Sequence, residues 1–211
     1  MHDGLSNLHL VVLMGGPGSE RDVSLRSGAA VAANLRQAGY RVTAVDVRDE
    51  NFVLPADTGL CVNMIHGTFG EDGRLQEVLD ARGVAYTGEG ASGSRAAFDK
   101  VVSKRLFDAA GVPNARWELI AAGERPRLPL PLVVKAPREG SSVGVHIVRH
   151  PEEMDAALAD CASIDPEILV EEFVEGRELT VGVVGDRALA IVEIRPQEGF
   201  YDYAHKYTKG A

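Results

Sequence analysis

Residues 8 to 47 constrain the fold more than any other stretch. LHLVVLM (8–14) is an apolar run of strand length that breaks at a glycine turn. The pattern resumes at DVSLRSGAAVAANLRQAG, a helix with Val23, Val31, Leu35 and Ala38 near one face and Gly39 as its stop, and passes into YRVTAVDV. Strand, helix, strand in that order predicts a right-handed βαβ crossover in a parallel sheet. A third strand at GLCVNMIHG and a helix at GRLQEVLDARG complete a small doubly wound α/β domain by about residue 90. Ligands of such sheets gather beyond the carboxyl ends of the strands, where Glu20 and His66 fall.

The pattern changes after TGEGASGSRAA, whose small residues and glycines read as a link between two units. A helix, FDKVVSKRLFDAAG, ends at Gly111 before Pro113. Strands follow at LPLVVKA, GVHIVR, EILVEEF, ELTVGVV and ALAIVEIR, with one helix, PEEMDAALADCAS, between them. Gly185-Asp186 reads as a hairpin turn. The second unit is therefore expected to be α+β, an antiparallel or mixed sheet with helices on one side. GFYDYAHKYTKGA supplies no element that would close a domain, so a last unit is expected to begin near residue 185 and to be incomplete.

A chain of 211 residues with 45% hydrophobic and 25% charged content can bury a proper core. The net charge of −9 argues against a nucleic-acid surface, which needs a surplus of lysine and arginine. Cys61 and Cys161 stand far apart, and neither a signal peptide nor a long apolar segment is visible. A reducing cytoplasm is the expected setting, without a membrane or nucleic-acid partner.

Five stretches carry chemistry. In MGGPGSERDVS, a phosphate-gripping loop of the Walker type would need glycine at 20 and lysine at 21; Glu20 and Arg21 stand there instead. A carboxylate beside a helix N-terminus repels phosphate and attracts a cation such as a substrate ammonium; the alternative is a first-turn capping acid. In MIHGTFGEDG, His66 ends an apolar strand and can bond a carboxylate or orient a neighbouring acid, while Glu71 can fix the loop; a structural histidine is the other reading. In VVKAPREGSSVGV, Lys135 ends a strand and is followed by Gly140, Ser141, Ser142 and Gly144, a flap whose amides and hydroxyls can fold over polyphosphate; an ordinary hairpin loop carrying a surface lysine is the other reading. ILVEEFVEGREL places a strand end that can read an adenine edge before an acid that can accept ribose hydroxyls; acids on a solvated sheet edge are the other reading. FYDYAHKYTKG, with Lys206 and Lys209, reads either as a loop that closes over substrate or as plain surface.

Taken in order, GGPGSERDVSLRSG, HGTFGEDG, REGSSVG and FYDYAHKY resemble the D-alanine–D-alanine ligases of the ATP-grasp superfamily, over essentially residues 8 to 211. The resemblance implies an α/β N-terminal substrate-binding domain at 1–95, an α+β ATP-grasp central domain at 96–184 that binds ATP, and the start of a C-terminal catalytic domain at 185–211. It implies that ATP phosphorylates the carboxylate of one D-alanine and that the amine of a second attacks the acylphosphate, giving a dipeptide for peptidoglycan. By position, Glu20 matches the acid that holds the first D-alanine's ammonium, and His66 a histidine beside it. Ser141 matches the flap serine that links Glu20 to the aromatic at Tyr207, a triad that shapes the pocket. Lys100, Lys135 and Lys206 match lysines at the phosphates, with Ser142 on the same flap. Glu171, Glu172, Phe173 and Val174 match the adenine-reading strand end, and Glu178 the ribose ligand. Tyr207 favours D-alanine over D-lactate as second substrate. The ligands of two magnesium ions and an arginine for the tetrahedral intermediate are expected past residue 211, and a homodimer through the α/β domains is implied. Two alternatives stay open: another ATP-grasp carboxylate–amine ligase, and a nucleotide-binding module without turnover.

Overall fold

The computed structural model describes Gly4 and residues 7 to 195. It divides the chain into two compact units, one of Met1–Ala109 with Arg138–Gly140, the other of Ala110–Pro137 with Ser141–Ala211.

In the first unit, β1 (His9–Gly15) lies between β2 (Arg41–Val47) and β3 (Thr58–Asn63), all parallel. The near-continuous burial of β1 is what a central parallel strand requires, since both faces are covered. Strand alternation sorts its side chains. Val11 and Leu13 pack with Leu75 and Leu79 of α2 (Arg74–Ala81), Phe52, Ile65 and Phe69 in one core, each fully buried leucine contributing roughly 2 kcal/mol. Met14, on the other face, meets α1 (Arg21–Gln37): a Cβ added to Gly28 would lie 2.4 Å from that of Met14.

Two expectations are corrected here. The buried residues of α1 are Ser24, Gly28 and Ala32, while Val23, Val31 and Leu35 are only partly covered and Ala38 is exposed. A line of small side chains lets the helix backbone approach the sheet closely, and that close approach outweighs the pull of the larger apolar residues one position away. The supposed link at 87–97 is mostly helical: α3 spans Ala91–Phe98, opened by extended Gly90. The helix expected at 98–111 is α4 (Lys100–Ala110), separated from α3 by Asp99. Asp99 has extended backbone, and its Oδ1 accepts the amides of Val101 and Val102 at 2.9 and 3.1 Å, an N-cap that starts a new helix.

In the second unit, four antiparallel strands run in the order β4 (Trp117–Ala121), β7 (Glu167–Glu172), β5 (Leu132–Lys135), β6 (Val145–Val148). α5 (Met154–Ile164) covers one face. Leu132, Val134, Val148, Ile168 and Val170 point to that face and form a core with Met154, Ala157 and Cys161. β8 (Glu178–Val184) and β9 (Arg187–Ile194) form a separate hairpin whose turn is Gly185-Asp186. Strand β4 had no counterpart in the sequence reading, because WELIA is short and carries an acid at its second position. Glu118 Oε1 accepts the amides of Arg127 and Leu128 at 2.7 and 2.9 Å, which explains an acid on that edge.

Among the described residues no helix is long and apolar enough to cross a membrane.

Candidate active site

The first unit assembles its polar residues at the carboxyl end of β1. Glu20 precedes α1, is only 5% exposed, and makes no side-chain cap hydrogen bond, so the capping alternative fails. Its Oε2 lies against bare backbone: a Cβ on Gly67 would be 2.5 Å away, one on Gly140 3.1 Å. One turn on, Ser24 is fully buried; its Oγ accepts the Gly15 amide at 2.8 Å and donates to the Met64 carbonyl at 2.6 Å. This bolts α1 to both the end of β1 and the segment that carries His66. His66 Nε2 lies 2.9 Å from Ser27 Oγ, and its Nδ1 faces Glu71 Oε1 at 3.9 Å. Burial, then the neighbouring Glu20 charge, push the Glu71 carboxyl above its ordinary range. Two acids and an imidazole thus share one corner, an arrangement suited to a small cation.

Lys100 opens α4, and its Nζ donates to the Glu139 carbonyl at 2.5 Å; beside it Arg138 Nε donates to Asp99 Oδ2 at 3.0 Å. Both contacts fix residues 138–140 of the glycine-serine loop on the first unit. Ser141 and Ser142 belong to the second unit and adopt positive φ, 50° and 62°, a conformation that ordinary side chains rarely take. The Ala136 amide donates to the Gly144 carbonyl at 3.0 Å and closes the loop's neck.

The second unit holds a cavity of about 660 Å³ on the sheet face opposite α5. The same alternation that sends Leu132, Val134 and Val170 into the core sends Val133, Lys135, Val145, Ile147 and Glu171 into this cavity. Glu172, Phe173, Val174 and Glu178 line its rim. Lys135 Nζ pairs with Glu171, a buried carboxylate two residues diagonal across the β5–β7 register. The Phe173 amide donates to the Pro131 carbonyl at 3.0 Å, so that donor is already engaged and a base edge must be read by other groups of the strand end.

Six of the residues singled out in the sequence therefore meet at one cavity: Lys135, Glu171, Glu172, Phe173, Val174 and Glu178. Lys100 and Ser142 are not among its lining residues. Glu20 and His66 meet in the first unit, and Lys206 and Tyr207 lie outside the described residues. Sequence reasoning missed Arg149, which stacks over the Phe173 ring at 4.6 Å and lines the same cavity. Its signal was the parity Val145, Ile147, Arg149, which continues one step beyond β6.

The family model of the D-ala D-ala ligase C-terminus matches residues 105–211. A D-alanine–D-alanine ligase of Methylacidiphilum infernorum is 45% identical over 203 residues, 96% of this chain and 67% of that protein. The chain belongs to the D-alanine–D-alanine ligase family. The ligase of Paramagnetospirillum magneticum is 48% identical over 209 residues, covering 95% of this chain and 68% of that relative. Among solved D-alanine–D-alanine ligase structures, the Bacillus anthracis enzyme complexed with ATP is 27% identical, with a TM-score of 0.79 over 92% of this chain and 68% of that one. D-alanyl-alanine synthetase A of Vibrio cholerae superposes with a TM-score of 0.80 at 26% identity, over 99% of this chain and 73% of that one. The ligase fold is thus shared across both units. Among the described residues no group of three or more His, Cys, Asp or Glu side chains is placed to hold a metal ion.

Proposed function

We propose that this chain supplies the first-substrate and nucleotide halves of an ATP-dependent D-alanine–D-alanine ligase serving peptidoglycan synthesis. The observation that carries the reading is the convergence of Lys135, Glu171 to Val174 and Glu178 on one cavity, from stretches separated by more than thirty positions. Its volume suits a nucleotide-sized ligand, with apolar Val133, Val145 and Ile147 for a base and charged groups at the rim. ATP would stack its adenine on the apolar wall at the Phe173–Val174 strand end, place ribose hydroxyls on Glu178, and bring its phosphates to Lys135. Ser142, Lys100 and Lys206 complete the phosphate grip in this proposal.

The chemistry brings a carboxylate up to a triphosphate, and like charges repel strongly in a pocket of low dielectric. Lysines neutralise part of that charge, and magnesium supplies the rest when bound. Glu20 takes the ammonium of the first D-alanine and so leaves its carboxylate free for phosphorylation. His66 sits beside it, and Ser141 and Tyr207 take in this proposal the pocket-shaping roles that the family resemblance implies; these groups position substrate and none acts as a nucleophile. The acylphosphate formed on the first D-alanine is then attacked by the amine of the second. Three structural domains, a homodimer and a cytoplasmic location complete the proposal.

The test is release of ADP by the purified protein in its full chain, given ATP, magnesium and D-alanine, with L-alanine and a panel of D- and L-amino acids beside it. Dependence on D-alanine is expected. Strict dependence on a different acid and amine overturns the substrate assignment, and no amino-acid-dependent release at all overturns the ligase.

A further inference from the structure

Glu20, Ser24 and Ser27 stand at i, i+4 and i+7, one stripe of α1, and each touches the 64–67 segment or the residues it carries. The roles of the first two are plain: Glu20 Oε2 abuts Gly67, and Ser24 ties down the Met64 carbonyl. Ser27 has two polar neighbours. Its Oγ donates to the Ser24 carbonyl at 3.2 Å and lies 2.9 Å from His66 Nε2. A hydroxyl has one hydrogen and two lone pairs. With the hydrogen directed along the helix to Ser24, a lone pair remains for the ring.

We infer that Ser27 is a positioning residue for His66: its oxygen accepts Nε2–H, fixes which ring nitrogen carries the proton, and turns the Nδ1 edge toward Glu71 and the corner that holds Glu20. Without that acceptor the imidazole is free to rotate about its side-chain torsions, and the edge presented to a bound amino acid is no longer defined. The identity of that amino acid rests on the ligase proposal above; the protonation pattern of the ring does not.

Two measurements keep these separate. Nitrogen-15 NMR of the histidine side chains in the ligand-free protein, with His66→Gln used for assignment, reads the tautomer on the alkaline side of the ring's own titration. Nε2–H is expected for His66, with a shifted ring spectrum in Ser27→Ala and restoration in Ser27→Thr. An Nδ1–H tautomer, or a spectrum unmoved by Ser27→Ala, overturns the inference. In steady-state kinetics, Ser27→Ala is expected to raise KM for the first D-alanine about three- to tenfold, the value of one hydrogen bond, with KM for ATP changed less than about twofold. Ser27→Thr restores it. Equal losses for both substrates that threonine fails to rescue mark a merely structural role and also overturn the inference. An Nε2–H ring responsive to Ser27 in a protein that shows no D-alanine dependence leaves the tie standing and removes the ligase reading instead.

Discussion

Replacing Gly67 with alanine puts a methyl group where Glu20 keeps its carboxylate. Gly67 has φ of +63°, and the new Cβ would sit 2.5 Å from Glu20 Oε2, against ordinary contact at 3.4 Å and above. Two costs separate cleanly. The left-handed backbone charges an alanine about 1–2 kcal/mol of stability wherever it occurs. The collision adds a displacement of the carboxylate by roughly 1 Å, enough to break a hydrogen bond whose useful range spans only a few tenths of an ångström. A hydrogen bond from an ammonium to that carboxylate is worth about 1.5–3 kcal/mol, so KM for the first D-alanine should rise roughly ten- to 150-fold. Gly83 provides the control: its φ is +66°, and a Cβ there meets nothing within 4 Å. Gly83→Ala should lose similar stability in urea unfolding and keep its KM. Steady-state KM for D-alanine and urea midpoints for both variants form the assay. If both variants unfold alike and both keep the parental KM, Glu20 does not hold the substrate ammonium and the reasoning is refuted.

Three further outcomes are expected. Lys135→Ala removes the cation paired with buried Glu171 and should cost about 2–4 kcal/mol in urea unfolding and most of the affinity for ATP by calorimetry; Lys135→Ala with Glu171→Gln should recover part of the stability but none of the affinity. Glu71 has a raised carboxyl pKa, so the folded state holds its proton more tightly than the unfolded one; the penalty is absent well below 4.5 and grows as pH rises through the raised value. Glu71→Gln should therefore gain stability relative to the parent on going from about pH 4 to about pH 7, read as the difference in thermal midpoints, and a constant difference contradicts the shift. Cys61 and Cys161 are fully buried, each in the core of a different unit, with thiols pushed up to about 11. Single-cysteine variants should react with a disulfide reagent only as fast as their own unit opens, so that two distinct rates report on the two units; burst labelling in the native state contradicts the packing.

Legibility in the sequence followed the physical range of each signal. Strand alternation acts over a few residues: once VVKA and ILVEE are strands, it puts Val134, Ile168 and Val170 on the core face and Lys135 and Glu171 on the other. The pairing of that lysine with that acid was not legible, because it depends on setting β5 against β7 across a loop, a strand and a helix, and register is a tertiary property. α1 shows the reverse failure. Counting large apolar residues selected Val23, Val31 and Leu35, whereas the helix buries Ser24, Gly28 and Ala32, because a glycine over Met14 permits an approach that a valine would block. That substitution of size for hydrophobicity is also what places the candidate site: the small-residue stripe draws α1 down onto the end of β1, and the same stripe, carried one turn toward the N-terminus, sets Glu20 against Gly67 rather than in water. A helix seated on its valines would rotate the stripe that bears Glu20, Ser24 and Ser27 away from Met64 and His66. The packing preference that sequence periodicity misjudged and the geometry of the substrate corner are therefore one physical fact, and Gly28, pressed against Met14, helps to hold it.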